Sequence, residues 1–247
     1  MSKIVWDALG ERKYEIGVDR GVFYVLEAGE YVGGIPWNGL TGVDDNTGGR
    51  EAEPLYSGGH KVASEYTFEE YAGKIKCFTY PDEFEEYLGE RAIVDGIFAR
   101  QQERPLFSFC YRSGVGNDTD GQDHGYKIHL VYNLRVTDFA RNYATINDSM
   151  DIQQTEISFE SYPEDVESDE FDSVSEIVID SRYVKAESLA SLEEILYGTD
   201  ETDPRLPYPN EIIELFDVPE PIPPEWILYP NSLIFPFRDL YPIAQET

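Results

Sequence analysis

Tyr126-Lys127-Ile128-His129-Leu130-Val131-Tyr132-Asn133-Leu134-Arg135-Val136 is the stretch from which the fold reads outward. Tyr126, Ile128, Leu130, Tyr132 and Leu134 recur at every second position, and a period of two places them on one face of a β-strand. The residues before it, Asn117 to Gly125, are rich in Asn, Asp and Gly. Their side chains bond local backbone and their glycines accept positive φ, so this region reads as a turn. Phe107 to Tyr111 supplies a strand ahead of the turn, and the three pieces together predict a hairpin.

Most of the remaining chain reads the same way. Tyr14–Val18 and Val22–Leu26 are short β-rich runs separated by a turn at Asp19-Arg20-Gly21. Val62–Phe68 alternates, with Val62, Ser64, Tyr66 and Phe68 opposite Ala63, Glu65, Thr67 and Glu69. Gly73–Tyr80 is a further strand. Thr155–Ser161 sets Ile157 and Phe159 against Glu156, Ser158 and Glu160, and Val174–Ile179 is the last strand. Asp44–Gly59 has no periodic apolar pattern and is expected to be one long loop, spanning about residues 44–60. Pro81–Leu88 predicts one or two helical turns. Leu189, Leu192, Ile195 and Leu196 predict a helix over Val184–Tyr197, stopped by Gly198, and a second short helix starts near Asn210. The fold class expected is therefore mainly β with one or two helices.

Composition bounds the function. Forty-nine acids against 19 bases give a net charge of −30, which excludes holding nucleic acid through phosphates, a task that needs a basic patch. Hydrophobic residues make up 41% of the chain and aromatics 14%, enough apolar surface to fold despite that charge. The apolar runs are short and the first residues lack a signal-peptide core, so a cytosolic product without a membrane anchor is expected. Cys77 and Cys110 lie in separate apolar runs without a Cys/His cluster, which predicts buried free thiols. Beyond Val218 the composition changes: seven of the 15 prolines fall between Pro219 and Pro242, interleaved with Trp226, Phe235, Phe237 and Tyr241. Proline blocks helix there, so an extended arm that seeks a surface is expected over 218–247, after a domain spanning 1–217.

None of the suggestive clusters has the spacing that catalytic or metal chemistry needs. Placing Gly121 at the sixth position of a calcium loop puts Gly116 first and Lys127 twelfth; placing Gly49 there puts Leu55 twelfth, so both patterns fail. His60, His124 and His129 are scattered, and the adjacent acids Glu85-Glu86 and Glu193-Glu194 diverge on either element type. No serine nucleophile motif, phosphate loop or dinucleotide fingerprint is present. Neither catalysis nor a cofactor is expected.

Four separated segments carry a likeness. Gly17-Val18-Asp19-Arg20-Gly21-Val22, then Ile35-Pro36-Trp37-Asn38-Gly39-Leu40, then Phe78-Thr79-Tyr80-Pro81-Asp82-Glu83-Phe84, and Gly116 to Asn133 resemble, in order and spacing, the major tail (tail tube) proteins of long, non-contractile-tailed bacteriophages. Leu192 to Asp200 and Pro204-Arg205-Leu206-Pro207 continue the match, which runs from about Trp6 to Phe216.

The resemblance implies a tail-tube-like β-sandwich or barrel with an outer helix, whose subunits join edge to edge into a hexameric ring barrel. Rings stack into a tube through which the genome passes in the virion tail, after assembly in the host cytoplasm. It also implies a stacking role for the 44–60 loop, and tape measure, tail terminator and distal tail proteins as partners. The acidic balance then suits a lumen that repels phosphate. Alternation nominates Glu65, Glu69, Glu156 and Glu160 as its lining. Trp37, Trp226, Phe235 and Phe237 are candidate subunit contacts, because aromatic anchors are enriched at interfaces. Two other readings remain: an acidic β-sandwich binding a protein or sugar ligand in a concave aromatic site, and a hydrolase with two acids facing across a cleft.

Overall fold

The computed structural model describes residues 4, 6–47, 52–57, 60–66, 71–94, 96–141, 154–164, 173–216, 226–228 and 234–236. In chain order the strands are β1 (Tyr14–Glu27), β2 (Glu30–Pro36), β3 (Leu40–Thr47), β4 (Ala52–Ser57), β5 (His60–Tyr66) and β6 (Tyr71–Cys77). A 3-10 helix follows over Asp82–Leu88, then β7 (Arg91–Val94), β8 (Ile97–Ala99), β9 (Phe107–Asn117), β10 (Gly121–Ala140), β11 (Thr155–Ser161) and β12 (Glu176–Asp180). Helices α1 (Ala186–Tyr197) and α2 (Pro209–Leu215) precede β13 (Trp226–Leu228) and β14 (Ile234–Pro236). The chain divides into two compact units, Met1–Phe216 and Asp217–Thr247.

The first unit is built on one antiparallel sheet ordered β2-β1-β9-β10-β11-β6-β3, with β12 also paired to β10. The sheet is open. Strand β10 is its spine: Lys127–Val131 pairs with β12 on one side, Leu134–Ala140 pairs with β11 on that same side, and β9 runs along the other. Two apolar clusters flank the sheet. Phe23, Ile75, Phe109, Val131, Leu134, Val136, Ile157 and Phe159 belong to one, together with Trp37 and Phe84. Val22, Tyr24, Cys110, Ile128, Leu130 and Tyr132 belong to the other, under Leu189, Leu192 and Leu196 of α1 and Ile212 of α2.

One residue changes which positions of β10 face each cluster. Ile128, Leu130 and Tyr132 face the helices, yet Leu134 lies in the opposite cluster, where strict alternation would not put it. Between Val131↔Phe109 and Leu134↔Phe107 the strand carries an extra residue against β9, and Asn133 there has φ 48°. A bulge with one residue in the left-handed region reverses the facing of everything after it. Asn tolerates that region better than other residues with a Cβ. Its groups are all engaged: its N–H donates to Ser108 Oγ (3.0 Å), its Oδ1 accepts from Tyr31 (2.9 Å), and its Nδ2 donates to Glu164 (2.5 Å).

A similar device corrects the expected turn at Asp19-Arg20-Gly21. Strand β1 runs on through it, with register shifts against β9 at Ile16/Val18 and Asp19/Val22 and positive φ at Gly17 and Arg20. A turn and a bulge draw on the same residue types, and only the pairing with β9 on both sides distinguishes them.

Three of the segments that carry the family resemblance, 17–22, 35–40 and 78–84, meet at one corner. Trp37 donates from Nε1 to the Thr79 carbonyl at 3.2 Å, its N–H bonds the Gly21 carbonyl at 2.7 Å, and Phe78 N–H bonds the Gly39 carbonyl at 2.8 Å. Trp37 packs on Phe84 with ring centroids 4.6 Å apart and edge-on to Phe109 at 5.4 Å. Gly39 has φ 79°, and a Cβ there would stand 2.8 Å from Thr79 Cγ2. Trp37 is 4% exposed. It is a core residue of its own subunit, not the surface anchor expected, because the corner consumes both its faces and its N–H.

Trp37→Ala is expected to cost about 3–5 kcal/mol in chemical denaturation. Asn133→Val is expected to cost about 3 kcal/mol, from a bulkier residue in the left-handed region plus buried groups left without partners. Stability within about 1 kcal/mol of wild type for either would contradict the corner or the bulge.

Candidate functional site

Beyond the helix-covered area, the outer face of β10, β11, β6 and β3 is polar. The register puts Glu156, Ser158 and Glu160 of β11 beside Lys76, Lys74 and Ala72 of β6, with Arg135 and Asp138 of β10 on one flank and Asp44 of β3 on the other. Ile157 and Phe159 point into the core from the opposite face, as alternation predicts. The Lys74 ammonium is 3.5 Å from Glu156 and that of Lys76 is 2.5 Å from Asp44. Tyr162 donates to Glu160 at 2.8 Å and lies 4.9 Å under the Arg135 guanidinium. This face therefore mixes four acids (Asp44, Asp138, Glu156, Glu160) with three cations (Lys74, Lys76, Arg135), a far more even balance than the chain as a whole. The basic partners come from strands whose position beside β11 no local pattern announces.

The other nominated residues lie apart from it. Glu65 is on β5, which pairs only with β4 in a two-stranded sheet of its own, opposite Glu53. Val62 is 63% exposed there, so the apolar face of this strand does not enter the core as expected. The expected 44–60 loop is thus the end of β3 followed by a hairpin. Its alternation was hidden by Pro54 and by a register shift between Leu55 and Tyr56. Glu69 and Phe237 lie outside the described residues. Trp226 and Phe235 sit in the second unit, where β13 and β14 pair antiparallel, with Trp226 opposite Pro236 and Phe235 opposite Ile227. Both strands lie within the segment expected as an extended arm.

One arrangement went unseen in the sequence because its parts are on three strands. Ser113 Oγ on β9 is 3.0 Å from His129 Nε2 on β10, and His129 Nδ1 is 2.8 Å from Glu176 on β12. Such an order of hydroxyl, imidazole and carboxylate can activate an oxygen nucleophile when a substrate can reach it. Here Ser113 is 9% exposed and His129 7%, and the Tyr111 ring stacks flat on the imidazole at 4.4 Å. The chain closes on itself as a buried polar network. His129 is a buried cross-strand link, a structural role.

A shallow groove of about 500 Å³ lies over the bulged part of β1, lined by Gly17, Asp19, Arg112, Gly114, Asp123 and Tyr126 among others. Two of its charged groups, Arg112 and Asp19, are spoken for. Arg112 grips Asp19 through two bonds of 2.7 and 2.6 Å and lies 4.8 Å over the Tyr126 ring, whose hydroxyl donates to Glu193 at 2.8 Å. The Arg112 hydrogen bond holds the Asp19 carboxyl below its ordinary value, against the upward push of burial. Arg182 and Arg205 do the same for Asp180 and Glu211. Burial pushes the Cys77 and Cys110 thiols up, and the two face opposite clusters of the sheet. Among the described residues, no group of three or more His, Cys, Asp or Glu is placed to hold a metal ion, and no helix is long and apolar enough to cross a membrane.

No protein-family model matches the chain, and no curated protein matches it significantly. Solved structures that align with it include a sheath/tube terminator of an extracellular contractile injection system in its extended state. That protein is 14% identical, over 67% of this chain and 97% of the other, with a TM-score of 0.35. The tube terminating cap of the anti-feeding prophage aligns at 10% identity over 73% of this chain and 97% of the other, with a TM-score of 0.36. Likeness at these scores assigns neither a shared fold nor a function.

Two measurements follow from this geometry. A fluorophosphonate probe is expected to leave Ser113 unlabelled in the folded protein, and stoichiometric labelling would make the Ser113–His129–Glu176 network a reactive one. The depressed Asp19, Asp180 and Glu211 groups stabilise the fold above their unfolded pKa values near 4, and that contribution is lost as pH falls through their lower folded values. Asp19→Asn should therefore shrink the loss of denaturation midpoint between pH 6 and pH 3; an unchanged loss would show that the Arg112 pair does not couple to folding.

Proposed function

We propose that this chain is a non-catalytic structural subunit of a long, non-contractile phage tail. Copies join into hexameric rings, the rings stack into a tube, and DNA passes through its lumen without being held. The observation that carries the reading is the asymmetry of the sheet. One end is sealed under α1 and α2, while the other ends in a bare charged face at the edge strand β3. Among the described residues, the short strand β12 is likewise paired only to β10. Proteins that stay single usually cover or twist away such edges, whereas a ring subunit uses them to pair with its neighbours. The four-segment resemblance supports the same reading, since residues of three of its segments build the corner that fixes β3 beside the rest of the sheet.

In this reading the face carrying Glu156 and Glu160 turns to the lumen. Its lysines rest against carboxylates, so a duplex bearing one charge per about 1.7 Å of axis meets no cluster of bare cations. The β4–β5 hairpin reaches the next ring, the unit beyond Phe216 adds a further contact through Trp226, Phe235 and Phe237, and tape measure, terminator and distal tail proteins complete the particle. The groove over β1 does not favour the ligand-binding alternative, because Arg112 and Tyr126 are committed to Asp19 and Glu193.

Electron microscopy of the purified protein across a concentration series tests the proposal directly. Rings of six or tubes are expected, and a monomer at every concentration would overturn it. In assembled particles, reversing Glu156 and Glu160 to Lys is expected to leave tubes intact but slow DNA release, because the cations would hold phosphates. Release at the wild-type rate would remove these residues from the lumen.

A further inference from the structure

Asn38-Gly39 is the one Asn-Gly pair in the chain, and it sits at the aromatic corner. The pair forms the turn between β2 and β3, and both residues are exposed. The backbone is held on either side of it. Trp37 donates its N–H to the Gly21 carbonyl at 2.7 Å, and the Gly39 carbonyl accepts from Phe78 N–H at 2.8 Å. Among the described residues the Asn38 amide bonds nothing, and neither does the Gly39 N–H. The amides of Asn117 and Asn133, by contrast, are engaged, donating to the Gly10 carbonyl and to Glu164.

We propose that Asn38 is a site of spontaneous deamidation, and that conversion to isoaspartate there loosens the corner. Gly39 N gives up its proton to solvent and attacks Cγ of Asn38. The N–Cγ bond forms, the Cγ–Nδ2 bond breaks, and Nδ2 takes up a proton and leaves as ammonia. A five-membered succinimide remains, which water opens. Addition at Cγ gives aspartate. Addition at the main-chain carbonyl gives isoaspartate, whose chain runs on through the side-chain methylene. One water is consumed and one ammonia released, with no oxidant or reductant. Glycine favours the ring closure because it has no Cβ to crowd the attacking nitrogen and its backbone turns freely. Asn46 is exposed too, but it lies in β3 and precedes Thr47, and a β-branched residue after asparagine crowds that nitrogen.

Isoaspartate lengthens the main chain by one carbon between residues 37 and 39. The bonds to Gly21 and from Phe78 that bracket the turn fit the shorter path. The turn has no slack against its neighbour, since a Cβ on Gly39 would stand 2.8 Å from Thr79 Cγ2. The longer chain therefore breaks one of the two bonds, and Trp37 loses its fixed seat. Aspartate adds only charge, at an exposed position. This inference stands on the corner alone and does not depend on how copies assemble.

The test incubates the purified full-length protein for several weeks at mildly alkaline pH, then digests it with trypsin for tandem mass spectrometry. One peptide, Gly21–Arg50, holds both Asn38 and Asn46. Asn38 is expected to convert from amide to acid at least about tenfold faster than Asn46, with isoaspartate identified by electron-transfer fragmentation. Asn38→Gln, which would have to close a six-membered ring, is expected to stay intact at that position. Incubated wild type is expected to show a second melting population about 3 °C or more below the first. That population should be absent from Asn38→Gln incubated alike, and from fresh Asn38→Asp, which carries the charge without the extra backbone carbon. Asn38 that reacts no faster than Asn46 in the folded protein overturns the site. Isoaspartate at position 38 with an unchanged melt overturns its effect on the corner. Fresh Asn38→Asp melting as low as incubated wild type assigns the loss to charge and overturns the backbone mechanism.

Discussion

Asn133 is the hinge of this structure. Strand β10 buries residues on both sides of the sheet, with Val131 already facing the cluster opposite Ile128, Leu130 and Tyr132. One residue in the left-handed region then turns Leu134 and Val136 toward the Val131 side, where strict alternation would have kept them with Leu130 and Tyr132. The same point divides its pairing between β12 and β11. The polar hub of Tyr31, Ser108 and Glu164 around Asn133 satisfies the backbone and amide groups that the bulge disturbs.

The two clusters then divide the labour. The helix-covered cluster is tied down through specific polar bonds: Tyr24 donates to the Leu196 carbonyl at 2.7 Å and Tyr132 to that of Pro207 at 3.0 Å. The segment around Pro204–Leu206 bonds along β2, with Gly34 N–H to the Pro204 carbonyl and Leu206 N–H to that of Tyr31, so this edge of the sheet is closed. The other cluster is aromatic and dense, with Phe23, Trp37, Phe84, Tyr87 and Phe107 in edge-on and stacked contacts. It holds β3 and β6 in place while leaving their outer side bare. Closing one edge and leaving the other available is a physical basis for directional association.

Net charge acts on a different scale from these contacts. At −30 the subunit repels its own copies at long range, and that repulsion falls within about a Debye length, some 8 Å at physiological salt. Association between such subunits therefore depends on close apolar contact and on local charge balance. The even mix of acids and bases on the β10–β11–β6–β3 face shows that the excess acid is distributed unevenly over the molecule.

Local pattern by itself determined most elements of this protein. Period two marked β11 and the first half of β10, helical spacing and Gly198 marked α1, and Pro81 with Phe84 marked the 3-10 turn, because each signal lies within a few residues and reports a single buried face. The motif at Trp37 was legible as important, but not its role, since an aromatic anchor and an aromatic core residue have the same local sequence. Tertiary structure alone decided the rest. The bulges at Arg20 and Asn133, the hairpin at β4–β5, the lysines beside Glu156 and the Ser113–His129–Glu176 network all depend on which strands become neighbours. Neighbours in a sheet are joined by hydrogen bonds between residues far apart in the chain, and no local period encodes those.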